Sequence, residues 1–116
     1  MPRSPHMFLM DIVEAIDAIK EFTSGMDFDA FLADRRTRAA VIRYLEVIGE
    51  AVKNLPADLR EAHPEVNWHA MAAMRDRLIH AYFGASDRVV WDTVTEDLTV
   101  LEVQVKDILQ GLGPPP

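Results

Sequence analysis

Apolar residues recur at spacings of three and four along most of the chain, a period that belongs to helices rather than strands. Phe8, Ile12, Ala15, Ile16, Ile19 and Phe22 form the first such stripe. Ser4-Pro5 reads as an N-cap followed by proline at the first helical position, and Ser24-Gly25 as the end of that helix. The segment DFDAFLAD suits a short turn of helix. From Asp34 a second stripe runs through Val41, Leu45, Ile48, Val52 and Leu55, and Pro56 stops it. PADLREAHPEV reads as a short helix and a connection. Asn67 is the expected N-cap of a helix from Trp68 to about Phe83, with Val66 and Met71 at the two positions of a hydrophobic staple and Gly84 at C′.

After Ser86, a further cap, local propensity and period disagree. Seven β-branched residues lie between Val89 and Val100, which favours strand. Yet Val90, Val94, Leu98, Leu101, Val105, Ile108 and Leu112 step by threes and fours, whereas a strand alternates by two. The period predicts a helix over 87–112, and GLGPPP is expected to fray. The result is an all-α, antiparallel helical bundle of four main helices plus short helical segments. It forms one domain over 1–116, with 1–4 and 111–116 as flexible ends.

Composition narrows the function. The 116 residues suit one core. No apolar run approaches the roughly 18 residues needed to span a membrane, and the first residues lack the pattern of a signal peptide. The absence of cysteine excludes disulfides and thiolate metal sites and fits a cytoplasmic protein. A net charge of −7 opposes generic nucleic-acid binding. The charge is uneven, however: residues 1–34 carry net −5, 35–83 net +2 and 84–116 net −4. Solvated helix faces explain that pattern, and so does a local anion site between acidic ends.

The stretch MRDRLIHAYFG, 74–84, concentrates the candidate chemistry: Arg75, Asp76, Arg77, His80 and Tyr82. Arg75 can fork onto phosphate oxygens, or bridge to Glu46 or Glu50 of the second long helix. His80 can transfer protons near neutral pH, or simply cap a helix C-terminus, where the dipole favours imidazolium. Asp76, four residues earlier, is placed to pair with it. Tyr82 can hydrogen-bond a phosphate, orient His80 or pack in an interface. Arg77 can support phosphate binding or remain a solvated charge. At about 100° per residue, Arg75 and Tyr82 share a face, while His80 stands about 140° from Arg75. One straight helix does not easily aim Arg75 and His80 at one phosphorus atom; two antiparallel copies of it, or a kinked last turn, do.

Other clusters are weaker. Arg35, Arg36, Arg38 and Arg43 can steer an anionic ligand, meet an acidic partner or lie solvated beside Asp34 and Glu46. Glu46 and Glu50 read as charge partners of Arg43 and Lys53 rather than as metal ligands. His63, Glu65 and His69 are scattered by Pro64, so no metal is expected. Trp68, Met71 and Met74 read as core or interface. Gly49, in mid-helix, predicts a close helix crossing. No glycine-rich phosphate loop is present, so the chain is not itself a nucleotidyltransferase.

The pattern R-D-x3-H-x-Y formed by Arg75, Asp76, His80 and Tyr82 resembles the signature of HEPN-domain proteins, specifically the HepT-like toxin branch. FLADRRTRAAVIRYLEVIGEAVKNLP and RLIHAYFG followed by VVWDTVTEDLTVL agree with it, over roughly residues 7 to 110. The position after arginine is often asparagine in these proteins; here it is Asp76. The resemblance implies a metal-independent endoribonuclease toxin without cofactor. It implies a homodimer that meets at the motif helices, with Arg75, His80 and Tyr82 as catalytic residues and Asp76 and Arg77 in support. It also implies a nucleotidyltransferase-fold antitoxin of the MNT type that can transfer AMP to Tyr82. The competing expectation is an inactive HEPN module that docks a nucleotidyltransferase or binds a nucleotide.

Overall fold

The structure, a computed structural model, describes residues 3–80 and 86–114. Every regular element among them is helical. α1 (Pro5–Thr23) opens as predicted: the Ser4 hydroxyl accepts from the Met7 amide at 3.3 Å, and Pro5 sits in the first turn. Its buried face is Leu9, Ile12, Val13, Ala15, Ile16 and Ile19. The predicted stripe is therefore corrected at both ends. Leu9 and Val13 fill the core, Phe8 is half-buried, and Phe22 is 46% exposed beside Tyr44.

α2 (Phe28–Ala33) is the short turn after Gly25 and buries Phe31. α3 (Arg35–Asn54) starts at Asp34, whose carboxylate accepts from the Thr37 amide at 3.0 Å and its hydroxyl at 2.9 Å. Those bonds hold the Asp34 carboxyl below the usual carboxylate range. Val41, Leu45, Ile48, Val52 and Leu55 are all buried, as their spacing predicts. α4 (Ala57–Ala62) is a single short helix.

α5 (Trp68–His80) carries the motif. The Asn67 side chain accepts from the Ala70 amide at 3.1 Å, and both staple residues, Val66 and Met71, are buried. The predicted end near Phe83 and the C′ role of Gly84 lie outside the described residues. Trp68, Met71 and Met74 are buried, so the core reading holds for all three.

The last helix is α6 (Asp87–Asp92), a π-helical turn (Thr93–Asp97) and α7 (Leu98–Leu112), with helical backbone dihedrals through both junctions. Period thus outweighs β-propensity. The π turn adds a residue that a regular period cannot anticipate. Thr93 is buried where the stripe placed Val94, and its hydroxyl donates to the Val89 carbonyl at 2.9 Å. The helix runs to Leu112, where the period predicts its end, so Gly111 and Leu112 are helical rather than part of a frayed tail, and it stops at Gly113 with φ +76°.

α1 packs between α3 and α7, α3 packs on α5, and α2 joins α3 to α6. No helix among the described residues is long and apolar enough to cross a membrane.

Candidate functional site

The α3–α5 crossing positions Arg75. A Cβ added to Gly49 would come within 2.8 Å of the Met71 carbonyl oxygen and 2.9 Å of Arg75 Cγ. Only a residue without a side chain lets α5 lie this close, which is the reason the sequence gives for a glycine in mid-helix. The Arg75 stem passes directly over it. Beyond the crossing, the Arg75 guanidinium meets carboxylates on both helices. Its Nη2 lies 2.9 Å from Glu50 Oε2 and its Nη1 3.0 Å from Asp76 Oδ1. Lys53 Nζ reaches the same Asp76 oxygen at 2.9 Å. Glu50, Arg75, Asp76 and Lys53 therefore form one chain of alternating charge between the helices. Lys53 first and Arg75 second hold the Asp76 carboxyl below the usual carboxylate range.

This network corrects two expectations. Asp76 does not pair with His80; its carboxylate is taken by Lys53 and Arg75. Lys53 does not neutralise Glu46 or Glu50, because it points across the crossing to Asp76, while Arg43 lies 3.6 Å from Glu46 and Arg75 takes Glu50. Lys53 and Glu50 thus pair across to α5, while Arg43 and Glu46 pair along α3 as their spacing suggested.

Arg75 faces a groove of about 310 Å³ between the start of α1, α3 and the end of α5. Its side chain is 19% exposed, and its Nε is buried without a hydrogen-bond partner among the described residues. His80 is exposed and makes no side-chain hydrogen bond or ion pair among the described residues. It does not line the groove; Ile79 does. The single chain therefore keeps Arg75 and His80 on separate faces, as their five-residue spacing predicts. Arg77 is exposed beside them, and Tyr82 lies outside the described residues.

Of the remaining clusters, Arg43 and Glu46 line this groove and the others do not join it. His63 Nδ1 lies 3.4 Å from Glu65, while His69 lines a different cleft with Arg60. Arg38 bonds the Leu32 carbonyl and lies 3.8 Å from Asp87, and Arg35 and Arg36 are exposed. Sequence reasoning missed Arg3 and Phe8, which α1 brings to the Arg75 groove. Nothing local in the sequence marks them, since only the packing of α1 on α3 brings them there.

The model of the HepT-like ribonuclease family matches residues 12–108. The chain belongs to the HepT-like ribonuclease family. It is 55% identical over 102 residues to a protein of Thermococcus cleftensis named probable ribonuclease HepT, covering 88% of this chain and 93% of that one. It is 50% identical over 105 residues to a provisionally named RNase of Methanocaldococcus jannaschii, covering 87% of each. A third relative, provisionally named an RNase, comes from Caldanaerobacter subterraneus and is 44% identical over 108 residues, 93% of this chain and 96% of that one. No solved structure gives a significant match. The matched span of this HepT-like chain includes Gly49, Glu50, Lys53 and the whole motif from Arg75 to Tyr82.

Proposed function

We propose that this HepT-like protein is a metal-independent endoribonuclease that acts as a toxin, with Arg75, His80 and Tyr82 at a site shared between two copies. Membership of a ribonuclease family across 12–108 is the observation that carries the activity. RNA cleavage of this kind needs a base for the 2′-hydroxyl, an acid for the leaving 5′-oxygen and a cation for the charge that builds on phosphorus. One His80 imidazole takes the 2′ proton as O2′ attacks phosphorus. The P–O5′ bond breaks, and the imidazolium of His80 in the second copy gives O5′ its proton. The products are a 2′,3′-cyclic phosphate and a 5′-hydroxyl, and Arg75 holds the non-bridging oxygens.

The separation of Arg75 from His80 within one chain supports the homodimer, because an antiparallel pair of α5 helices can bring one copy's Arg75 toward the other's His80. Exposed Ile79, beside His80, suits that interface. The remaining parts of the reading come from the family resemblance: an MNT-type nucleotidyltransferase antitoxin, AMP transfer to Tyr82 as the silencing step, Asp76 and Arg77 in support, and action in the cytoplasm.

A second reading has its own observation. Both terminal nitrogens of Arg75 already rest on carboxylates, as in a docking module without catalysis. Incubating unmodified, mass-verified protein with mixed RNA in EDTA, beside His80→Ala, separates the two. Cleavage that persists in EDTA and disappears in the variant is expected. Absence of cleavage by folded, dimeric wild type would transfer the assignment to the docking module.

A further inference from the structure

We propose that the groove beside Arg75 is a subsite for one unpaired nucleotide of the RNA next to the scissile phosphate, with Phe8 and Arg3 stacking its base and Arg43 holding its phosphate. The proposal rests on the ribonuclease reading of Arg75 and adds residues from α1 and α3 that the motif does not contain.

Four observations converge on it. The groove, about 310 Å³, lies at the small end of ligand clefts, which run roughly 300–1,000 Å³, and suits a single nucleotide rather than a helix. One wall holds Phe8, half-buried, with the Arg3 guanidinium 5.0 Å from its ring centroid. Arg3 is itself fixed by Asp11 at 2.7 Å, so the wall is an ordered pair of a ring and a planar cation. Unstacked bases are recognised on such surfaces, and a base inside a duplex cannot reach them. Arg43 stands on the same groove, 73% exposed, and among the described residues makes only a long 3.6 Å contact to Glu46. Its remaining donors are free for phosphate. Arg75 completes the groove, so a chain running through it passes from the stacking wall to the motif arginine.

The charge balance tells which force dominates. Arg3, Arg43 and Arg75 face Asp11, Glu46 and Glu50 across the groove, three against three. A neutral groove on a protein of net charge −7 gains little from counterion release beyond the one phosphate that Arg43 would hold. Affinity must come from stacking and from one or two forked contacts, which selects single-stranded RNA.

The test is fluorescence anisotropy with a single-stranded RNA decamer carrying 2′-O-methyl groups, which lacks the attacking hydroxyl, beside cleavage of the unmodified decamer at subsaturating RNA. Phe8→Leu keeps an apolar side chain against the core and removes the ring on which the Arg3 guanidinium lies, and with it the stacking wall; we expect binding to weaken about tenfold. Arg43→Gln is expected to weaken binding and to make the slope of log K against log salt shallower by about 0.7. Lys106→Gln, a surface cation outside the groove, should leave both quantities unchanged. Wild-type affinity in both groove variants, or equal binding of the annealed duplex, overturns the subsite. If Phe8→Leu does not fold, Arg43→Gln alone decides. Phe8-dependent binding without cleavage by wild type would remove the ribonuclease reading and leave the subsite standing. Undiminished cleavage and binding in both variants would do the reverse.

Discussion

Arg75 makes the salt bridge to α3 that the sequence offered as one alternative, and the proposed phosphate fork would have to be presented from that held position. Its Nη2 rests on Glu50 and its Nη1 on Asp76, so the guanidinium is held in one orientation before any substrate arrives. A rigidly held cation spends no reorganisation when charge builds on phosphorus. Planarity matters as much as charge, because lysine offers a point charge without a fork. Arg75→Lys is therefore expected to keep the fold and to lower RNA cleavage by roughly a hundredfold, in the range typical of removing one transition-state donor. Initial rates together with a circular-dichroism melt check this; near-native cleavage by the lysine variant would show that the fork has no part in the reaction. His80 lies five residues further along the same helix, at its last described position. It is exposed and unpaired among the described residues, so its loss should act on chemistry and barely on stability.

The crossing of α3 and α5 depends on a single missing side chain. In Gly49→Ala the new methyl meets the backbone oxygen of Met71, which cannot swing aside as a flexible side chain would. Alanine returns about 1 kcal/mol of helix propensity, but overpacking costs typically 1–3 kcal/mol. Because the clash includes backbone, we expect a net loss of about 1–2 kcal/mol, read as a lower urea midpoint, and weaker cleavage as Arg75 is pushed off its partners. The crossing was legible from Gly49 alone, and the helices from their three-and-four spacing and their caps at Ser4, Asn67 and Ser86. The π turn was not legible, since a period counts intervals and one added residue only shifts its phase. That phase shift is testable. Deleting exposed Thr95 should turn the π turn into a regular α turn and keep Leu98, Leu101 and Val105 on the core, with a melting temperature within a few degrees of wild type. Deleting exposed Lys106 in α7 instead rotates Ile108 by about 100° off the core and should unfold the C-terminal turns. Equal damage from both deletions would mean that the π turn is not a tolerated insertion.

Across the whole molecule, acidic residues outnumber basic ones by 19 to 12, and the structure uses part of that excess as fixed anions. Asp76 is held by Lys53 and Arg75, Glu102 by Lys20 at 3.0 Å, and Asp34 by the first amides of α3. The carboxylate partner of Arg75 was legible in advance, because Glu50 was one of two acids at the right spacing. The Lys53–Asp76 bridge was not, since it depends on how closely Gly49 lets the helices approach. The same holds for Arg3 and Phe8, which reach the groove only through the α1–α3 packing. These three carboxyls share one consequence for pH. Each titrates lower in the folded protein than in the unfolded chain, Asp76 mainly through Lys53, Glu102 mainly through Lys20 and Asp34 through Thr37. A lowered folded pKa means that the unfolded state binds more protons in the acid range. The stabilisation is therefore fully present above the unfolded carboxyl values, about 3.9 for Asp and 4.3 for Glu, and is lost as pH falls through the lower folded values. We expect the melting temperature to hold steady from neutral pH to about 5 and to drop steeply below about 4. Lys53→Met removes the first-named partner of Asp76 and should shrink the drop. The comparison must be made at one ionic strength, because Lys53 and Asp76 are 41% and 48% exposed and salt screens such pairs. A melting temperature that rises on acidification in wild type would contradict the assignment of these carboxylates as folded-state anions.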